Sequence, residues 1–301
     1  MIVLKNICKT FEDKKVLEDI SFHISEGESV GIIGLNGAGK TTLLNIIAGL
    51  LKVDSGFIRI NGAKQLITKR TALKEVAYIS GTKSQLWEDM VIKSSFENAS
   101  IMYGIDRDSY NRTLDEMDEV LQVKKLLDSN PKTLSLGERM RCEIMYALLA
   151  NPKILMLDEA MIGLDVTIKQ RIVEYFANNQ SRYTLLYTSH NLSEVERICD
   201  RIILIDKGRI IYDGKTHSIM KKFSPMYRLE LNIQGMFPDL LDIPISKYKV
   251  EKNQLIIEYD KEIIDTAQII KYVMSTNKIN DVRLFEPDLE DTIKKIYERM
   301  F

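Results

Sequence analysis

Two short stretches carry residue types suited to phosphate chemistry. The run Gly34-Leu-Asn-Gly-Ala-Gly-Lys-Thr-Thr42 fits the pattern G-x-x-x-x-G-K-[ST] through Gly34, Gly39, Lys40 and Thr41. Small residues at Gly34, Asn36, Gly37, Ala38 and Gly39 let backbone N–H groups turn inward and approach an anion. A lysine at Lys40 can reach β- and γ-phosphates, and the hydroxyls of Thr41 and Thr42 stand ready for phosphate and Mg²⁺. The second stretch, Ile154-Leu-Met-Leu-Asp158-Glu159, is an apolar run that ends in two adjacent acids. Asp158 suits a magnesium ion, held directly or through water. Glu159 suits the orientation or deprotonation of an attacking water.

These residues need a scaffold. SVGIIGL, before the glycine loop, is short, apolar and rich in Val and Ile, so it reads as a buried strand. TTLLNIIAGLL after the loop has helical spacing, and a helix N-terminus favours negative charge. KILMLDEA and TLLYTSH read as two more buried strands, and RIILIDKGRIIYDG as a strand pair with a Lys-Gly turn. Residues from about Lys93 to Asp128 and from Thr167 to Gln180 read as helical. Strands alternating with helices predict an α/β core with a largely parallel sheet. In such sheets ligands bind beyond the carboxyl ends of the strands, where both acidic and glycine-rich stretches fall.

The remaining sequence narrows the class. The chain has 301 residues, 45% hydrophobic and 28% charged, with a formal net charge of -1. That is enough to bury a sizeable core and provides no overall basic field for nucleic acid. Three scattered cysteines, Cys8, Cys142 and Cys199, fit neither a disulfide framework nor a zinc site. No signal peptide is expected, and no apolar run approaches the roughly 20 residues that a membrane helix needs. After about Met220 the pattern shifts to short alternating strands (YRLELNI, QLIIEYD, DVRLF) and two helices. The expected division is 1–220, with a helical subdomain over about 85–150, and a small α+β domain over 224–301.

Leu134-Ser-Leu-Gly-Glu138, just upstream of the acidic strand, resembles the LSGGQ signature of ABC transporter ATPase subunits. The resemblance covers about residues 1–220 and implies a P-loop ABC cassette, a mixed sheet with a helical subdomain, that hydrolyses ATP with Mg²⁺. It implies that Ser135, Leu136, Gly137 and Glu138 face the ATP of an opposite subunit. It places Phe11 against adenine and Val16 beside it. Leu164-Asp165 resembles the loop that meets the partner, and His190 the histidine that senses the γ-phosphate, with Glu159 as its catalytic companion. The sequence departs from the pattern in three places. Thr82 stands where a metal-contacting glutamine is usual, so either Thr82 or Gln85 serves the metal. Leu136 and Glu138 replace Gly and Gln, and Glu138 either points away or pairs with Arg139 or Arg141. Ala160 replaces a proline.

The resemblance implies a separate membrane permease, a second copy or a paralogous ATPase in a head-to-tail dimer, and a peripheral place on the cytoplasmic face of the membrane. Leu86, Trp87, Met90 and Val91 either line the permease groove or pack inside. Glu286-Pro-Asp-Leu-Glu-Asp291 resembles the ending of drug-exporter-type members, which points to export; as plain sequence it is also a helix start with acids in its first turn. The competing class is a nucleic-acid- or ribosome-associated ABC ATPase. A single cassette and an acid-balanced composition argue against it.

Overall fold

The computed structural model describes residues 1–61, 63–64, 75–81, 84–223, 226–234, 237–238, 240, 243–252, 254–286 and 288–300. The chain forms two compact units, Met1–Lys215 and Thr216–Phe301.

In the first unit, β1 (Ile2–Phe11), β2 (Lys14–Ile24), β4 (Ser55–Ile60) and β5 (Ala63–Lys64) make an antiparallel sheet in the order β2-β1-β4-β5. The second sheet has the order β10-β9-β3-β8-β7-β6. Its strands are β3 (Ser29–Ile33), β6 (Val76–Ser80), β7 (Ile154–Asp158), β8 (Thr184–Thr188), β9 (Arg201–Asp206) and β10 (Arg209–Lys215). All neighbours run parallel except β10 on β9. Every residue of β3, β7 and β8 is buried, which is why their sequences are unbroken apolar runs rather than alternating ones.

Helix α1 (Lys40–Ile47) follows β3 directly and buries Leu43, Leu44, Ile46 and Ile47 in the core between the two sheets. The helical part is α2 (Ile92–Tyr103), α3 (Arg107–Leu121) and α4 (Leu136–Leu149). Asp106 caps α3 by accepting from Ser109 N. All of α4 from Met140 to Leu149 is buried, so this helix is the one the others wrap. Helices α5 (Val166–Asn178) and α6 (Leu192–Ile198) complete the unit.

The second unit begins with α7 (Thr216–Phe223). Its antiparallel sheet, β12-β13-β11-β14, is built from β11 (Met226–Gln234), β12 (Lys247–Glu251), β13 (Gln254–Asp260) and β14 (Lys278–Phe285). Leu229, Leu231, Leu255, Ile257 and Tyr259 pack with Ile269 and Val273 of α8 (Thr266–Met274) on one face. Strand β12, Lys-Tyr-Lys-Val-Glu, is missing from the sequence reading because all five of its residues are exposed and it has no apolar face to betray it. Asp288 caps α9 (Leu289–Met300), accepting from Asp291 N at 2.7 Å, with Glu290 and Asp291 in the first turn. The acids of the exporter-like ending therefore do the ordinary work of a helix start.

Among the described residues no helix is long and apolar enough to cross a membrane.

Candidate active site

Four neighbouring parallel strands, β6, β7, β8 and β3, bring their carboxyl ends together; β7 ends in Asp158, and the glycine loop and His190 follow the ends of β3 and β8. The loop after β3 runs into α1, whose N-cap is Gly39 at φ 107 with no side chain capping the helix. Any side chain at Gly39 would meet Leu17 Cδ2 at 2.7 Å and the Val16 carbonyl at 2.9 Å. Val16 thus forms the floor under the loop, and only glycine fits above it. The uncapped start of α1 presents free N–H groups, the natural seat of an anion.

Lys40 Nζ donates to the carbonyls of Gly34 at 2.8 Å and Leu35 at 3.2 Å, arching back over the loop. Burial holds its ammonium below the usual lysine range, while Glu159 and Asp158 pull the other way. Phosphate oxygens would complete the compensation that two carbonyls and two distant acids begin.

Asp158 is buried at the end of β7 and doubly held. Thr188 Oγ1 donates to its Oδ1 at 2.7 Å and the Tyr78 hydroxyl to its Oδ2 at 3.1 Å. Burial, with Asp158 beside it, raises the Tyr78 phenol well above its ordinary value, so it stays a donor. Glu159 N donates to both the carbonyl and the hydroxyl of Thr188, at 3.2 and 3.1 Å. Glu159 occupies the left-handed region at φ 54, a conformation costly for a non-glycine residue and one that aims its side chain away from the strand line. There it meets His190, whose Nε2 lies 2.8 Å from Glu159 Oε1.

The signature-like segment is built differently from the start of α1. Ser135 caps α4, accepting from Glu138 N at 3.3 Å. The Glu138 carboxylate turns back to accept from Ser135 N at 3.1 Å and Ser135 Oγ at 2.8 Å, a full capping box. These bonds, the Ser135 hydroxyl first, hold the Glu138 carboxyl below its ordinary range. Arg141 Nη2 lies 3.9 Å from Glu138 Oε1, so of the two arginines considered Arg141 is the neighbour. Leu136 is half exposed. A Cβ on Gly137 would strike the Gly163 carbonyl at 2.5 Å, which packs the start of α4 onto the loop leading to Leu164 and Asp165. Leu164 is buried, and Asp165 caps α5, accepting from Ile168 N at 3.0 Å.

Phe11 closes the β1–β2 hairpin and is half exposed, with Lys9 Nζ 5.3 Å from its ring centre. Thr82 lies outside the described residues. The Gln85 amide donates to the Tyr78 carbonyl.

One residue escaped the sequence reading. Glu143, inside α4, is buried and accepts from Ser84 Oγ and from Gln85 N at 3.0 and 3.1 Å. Burial raises its carboxyl pKa. Three residues therefore link α4 to Asp158: Glu143 holds the Gln85 backbone, the Gln85 side chain holds the Tyr78 backbone, and the Tyr78 hydroxyl holds Asp158. The one sequence signal of Glu143 was an acid among the apolar residues of a helix.

A glycine-lined anion seat, a held carboxylate and a paired Glu–His at parallel strand ends define a P-loop nucleotide hydrolase. Known proteins agree. Residues 17–162 match the family described as ABC transporter. The chain is 30% identical over 224 residues to the ABC transporter ATP-binding protein NatA of Bacillus subtilis, covering 73% of this chain and 91% of that protein. It is also 30% identical over 297 residues to the uncharacterized ABC transporter ATP-binding protein YhcH of the same organism, covering 97% and 94%. A solved ATP-binding subunit of an ABC transporter has a TM-score of 0.69 at 29% identity, over 74% of this chain and 93% of that one. The chain belongs to the ABC transporter ATP-binding family: it is the ATP-binding, ATPase subunit of an ABC transporter.

Proposed function

We propose that this subunit hydrolyses MgATP in a head-to-tail pair and drives export through a separate membrane permease. The supporting observation is that one chain carries one open anion seat at α1 and one capped signature helix, α4. Two chains placed head to tail complete two sites, with C2 symmetry if the copies are identical. Phe11 and Val16 would flank the adenine, and Lys40 would take the phosphates. The donor set fits a magnesium ion that arrives with the nucleotide, since such ions take one or two carboxylates and fill the rest with phosphate and water. Asp158 and Thr41 would hold it, and it would neutralise charge on the transferred phosphoryl group. Glu159 would orient and deprotonate the water, with His190 fixing its carboxylate. Ser135 and Gly137 would face the opposite subunit's γ-phosphate, and Leu164-Asp165 would meet the partner.

A permease surface lies beside the same strands. Leu86 is buried, which removes it from the docking set, whereas Trp87, Met90 and Val91 are exposed. A cavity of about 360 Å³ opens among Ala48, Leu50, Val76, Tyr78, Ser80, Ser84 and Gln85. Aromatic and Met side chains beside such a groove suit a partner's helix. This would seat the chain peripherally on the cytoplasmic face of the membrane. Export rests on the likeness of residues 286–291 to exporter endings.

Glu159→Gln is the test. The variant is expected to bind ATP, lose turnover by at least about a hundredfold and accumulate as an ATP-dependent dimer in size-exclusion chromatography. Undiminished turnover would remove Glu159 from the reaction. An ATP-bound monomer at micromolar concentration would remove the head-to-tail pair. A photocrosslinker at Trp87 that captures no membrane protein would remove the permease surface.

A further inference from the structure

The two edges of the β12-β13-β11-β14 sheet are unlike. Strand β12 is five residues long, with Lys247, Lys249 and Glu251 on one face. Short, lysine-bearing edges resist pairing with another chain. Strand β14 is eight residues long and carries Val282, Leu284 and Phe285, each more than 40% exposed. Val282 and Leu284 pair with the buried Leu231 and Leu229, so they lie on the core side of the sheet. Among the described residues no strand covers the outer edge of β14. Its Val282 N–H donates to the neighbouring Asp281 carboxylate at 3.0 Å, a local bond to a side chain of the same strand.

The sequence of this edge is complementary to itself. In an antiparallel register centred on Val282, Val282 faces the Val282 of a second copy. Asp281 then faces Arg283, and by symmetry Arg283 faces Asp281. Asn280 faces Leu284 in the same way. Outward N–H and C=O groups at Asn280, Val282 and Leu284 would make the hydrogen-bonded pairs, and Asp281 and Arg283 the closer non-bonded pairs, where cross-strand charges interact best. A one-residue slip would move every side chain to the wrong face. The register is bounded on one side by the irregularity at Asn280, where the β11–β14 ladder shifts. Without a partner, Asp281 and Arg283 are left with an exposed contact to each other at 3.3 Å, a pair of little net value.

We propose that β14 is a homotypic interface: two copies of this chain join their second units edge to edge about Val282. The occupant is a second copy because the charges of β14 match those of β14 reversed. The pairing needs no nucleotide, so it is separable from the head-to-tail pair.

Sedimentation of the full chain without nucleotide at about 100 μM measures it. Asp281→Arg and Arg283→Asp each place like charges opposite one another and are expected to weaken the dimer about tenfold. The double variant swaps both pairs and is expected to recover within about twofold. In a Cys8→Ser background, Val282→Cys is expected to crosslink with a short bismaleimide, and Tyr248→Cys on the other edge is not. A nucleotide-free monomer at that concentration overturns the proposal. So does a double variant no better than the single ones, or equal crosslinking at both edges. Apart from the half-buried Cys8 the substituted side chains are exposed, and circular dichroism of each variant separates a lost interface from a lost fold.

Discussion

His190 Nε2 stands 2.8 Å from Glu159 Oε1, a contact that bridges the ends of two adjacent parallel strands, β7 and β8. Glu159 reaches it only through its left-handed backbone, pinned by two hydrogen bonds to Thr188. The strand pairing thus sets the geometry of the pair, and the side chains add the chemistry. His190→Ala is expected to lower the ATPase kcat by about a hundredfold or more. KM for ATP should move less than about threefold, and thermal stability should barely change because the ring is more than half exposed. Steady-state kinetics and a melting curve check this. A kcat within threefold of the parent would show the contact to be incidental.

Tyr78 offers a second test. Its hydroxyl is one of two donors that orient Asp158, so Tyr78→Phe keeps the ring and removes one bond. Outer groups that hold a metal-binding carboxylate are worth about 10- to 100-fold in metal affinity. The Mg²⁺ concentration for half-maximal ATPase is therefore expected to rise about tenfold, with saturating activity largely regained. An unchanged magnesium titration would mean that Thr188 alone suffices.

Glu138 closes the start of α4 with its own carboxylate. A γ-phosphate approaching Ser135 from an opposite subunit would meet that negative charge and a hydroxyl already engaged with it. Glu138→Gln keeps the capping geometry and removes the charge. Charges at helix starts are worth about 0.3–1 kcal/mol, so KM for ATP is expected to fall about two- to fivefold. Raising the salt should narrow the difference. A rise in KM would show that the carboxylate aids assembly of the site.

Much of this was legible in the sequence. The glycine loop, the Asp-Glu strand and the strand before His190 each lie within a few residues of their own signals: apolar runs for buried strands and turn residues at their ends. The order of the strands brings them together, and ligand sites at strand ends follow from that topology. What supports the site was not legible. Tyr78 and Thr188 lie far from Asp158 in the chain, and only the registers β6–β7 and β7–β8 make them neighbours. The contact of Gly137 with Gly163 is likewise a property of packing. The same holds for Leu86, whose apolar character fitted a groove or a core equally until its burial decided it.

Glu143 joins two of these hidden parts. It is a carboxylate in the middle of a buried helix, and its oxygens take the Ser84 hydroxyl and the Gln85 N–H. Glu143→Ala would leave both half-buried donors without this acceptor, at about 1 kcal/mol each. It should also loosen the 84–85 segment from α4, and with it the Gln85–Tyr78 link toward Asp158. Reduced stability and a higher magnesium requirement are expected together. Glu143→Gln keeps an acceptor oxygen and is expected to restore the magnesium titration, which a merely volume-filling role would not require. Glu143→Gln also differs from the parent in its response to pH. Burial raises the folded-state pKa of Glu143 above the ordinary carboxylate value, so its stabilising contribution is full below the unfolded pKa near 4.5 and declines as pH rises through the folded value. Glu143→Gln cannot ionise and has no such loss. Its melting temperature relative to the parent should therefore climb between about pH 4.5 and neutrality. A difference that stays flat over that range would mean that the Ser84 and Gln85 bonds fully offset the burial of the charge.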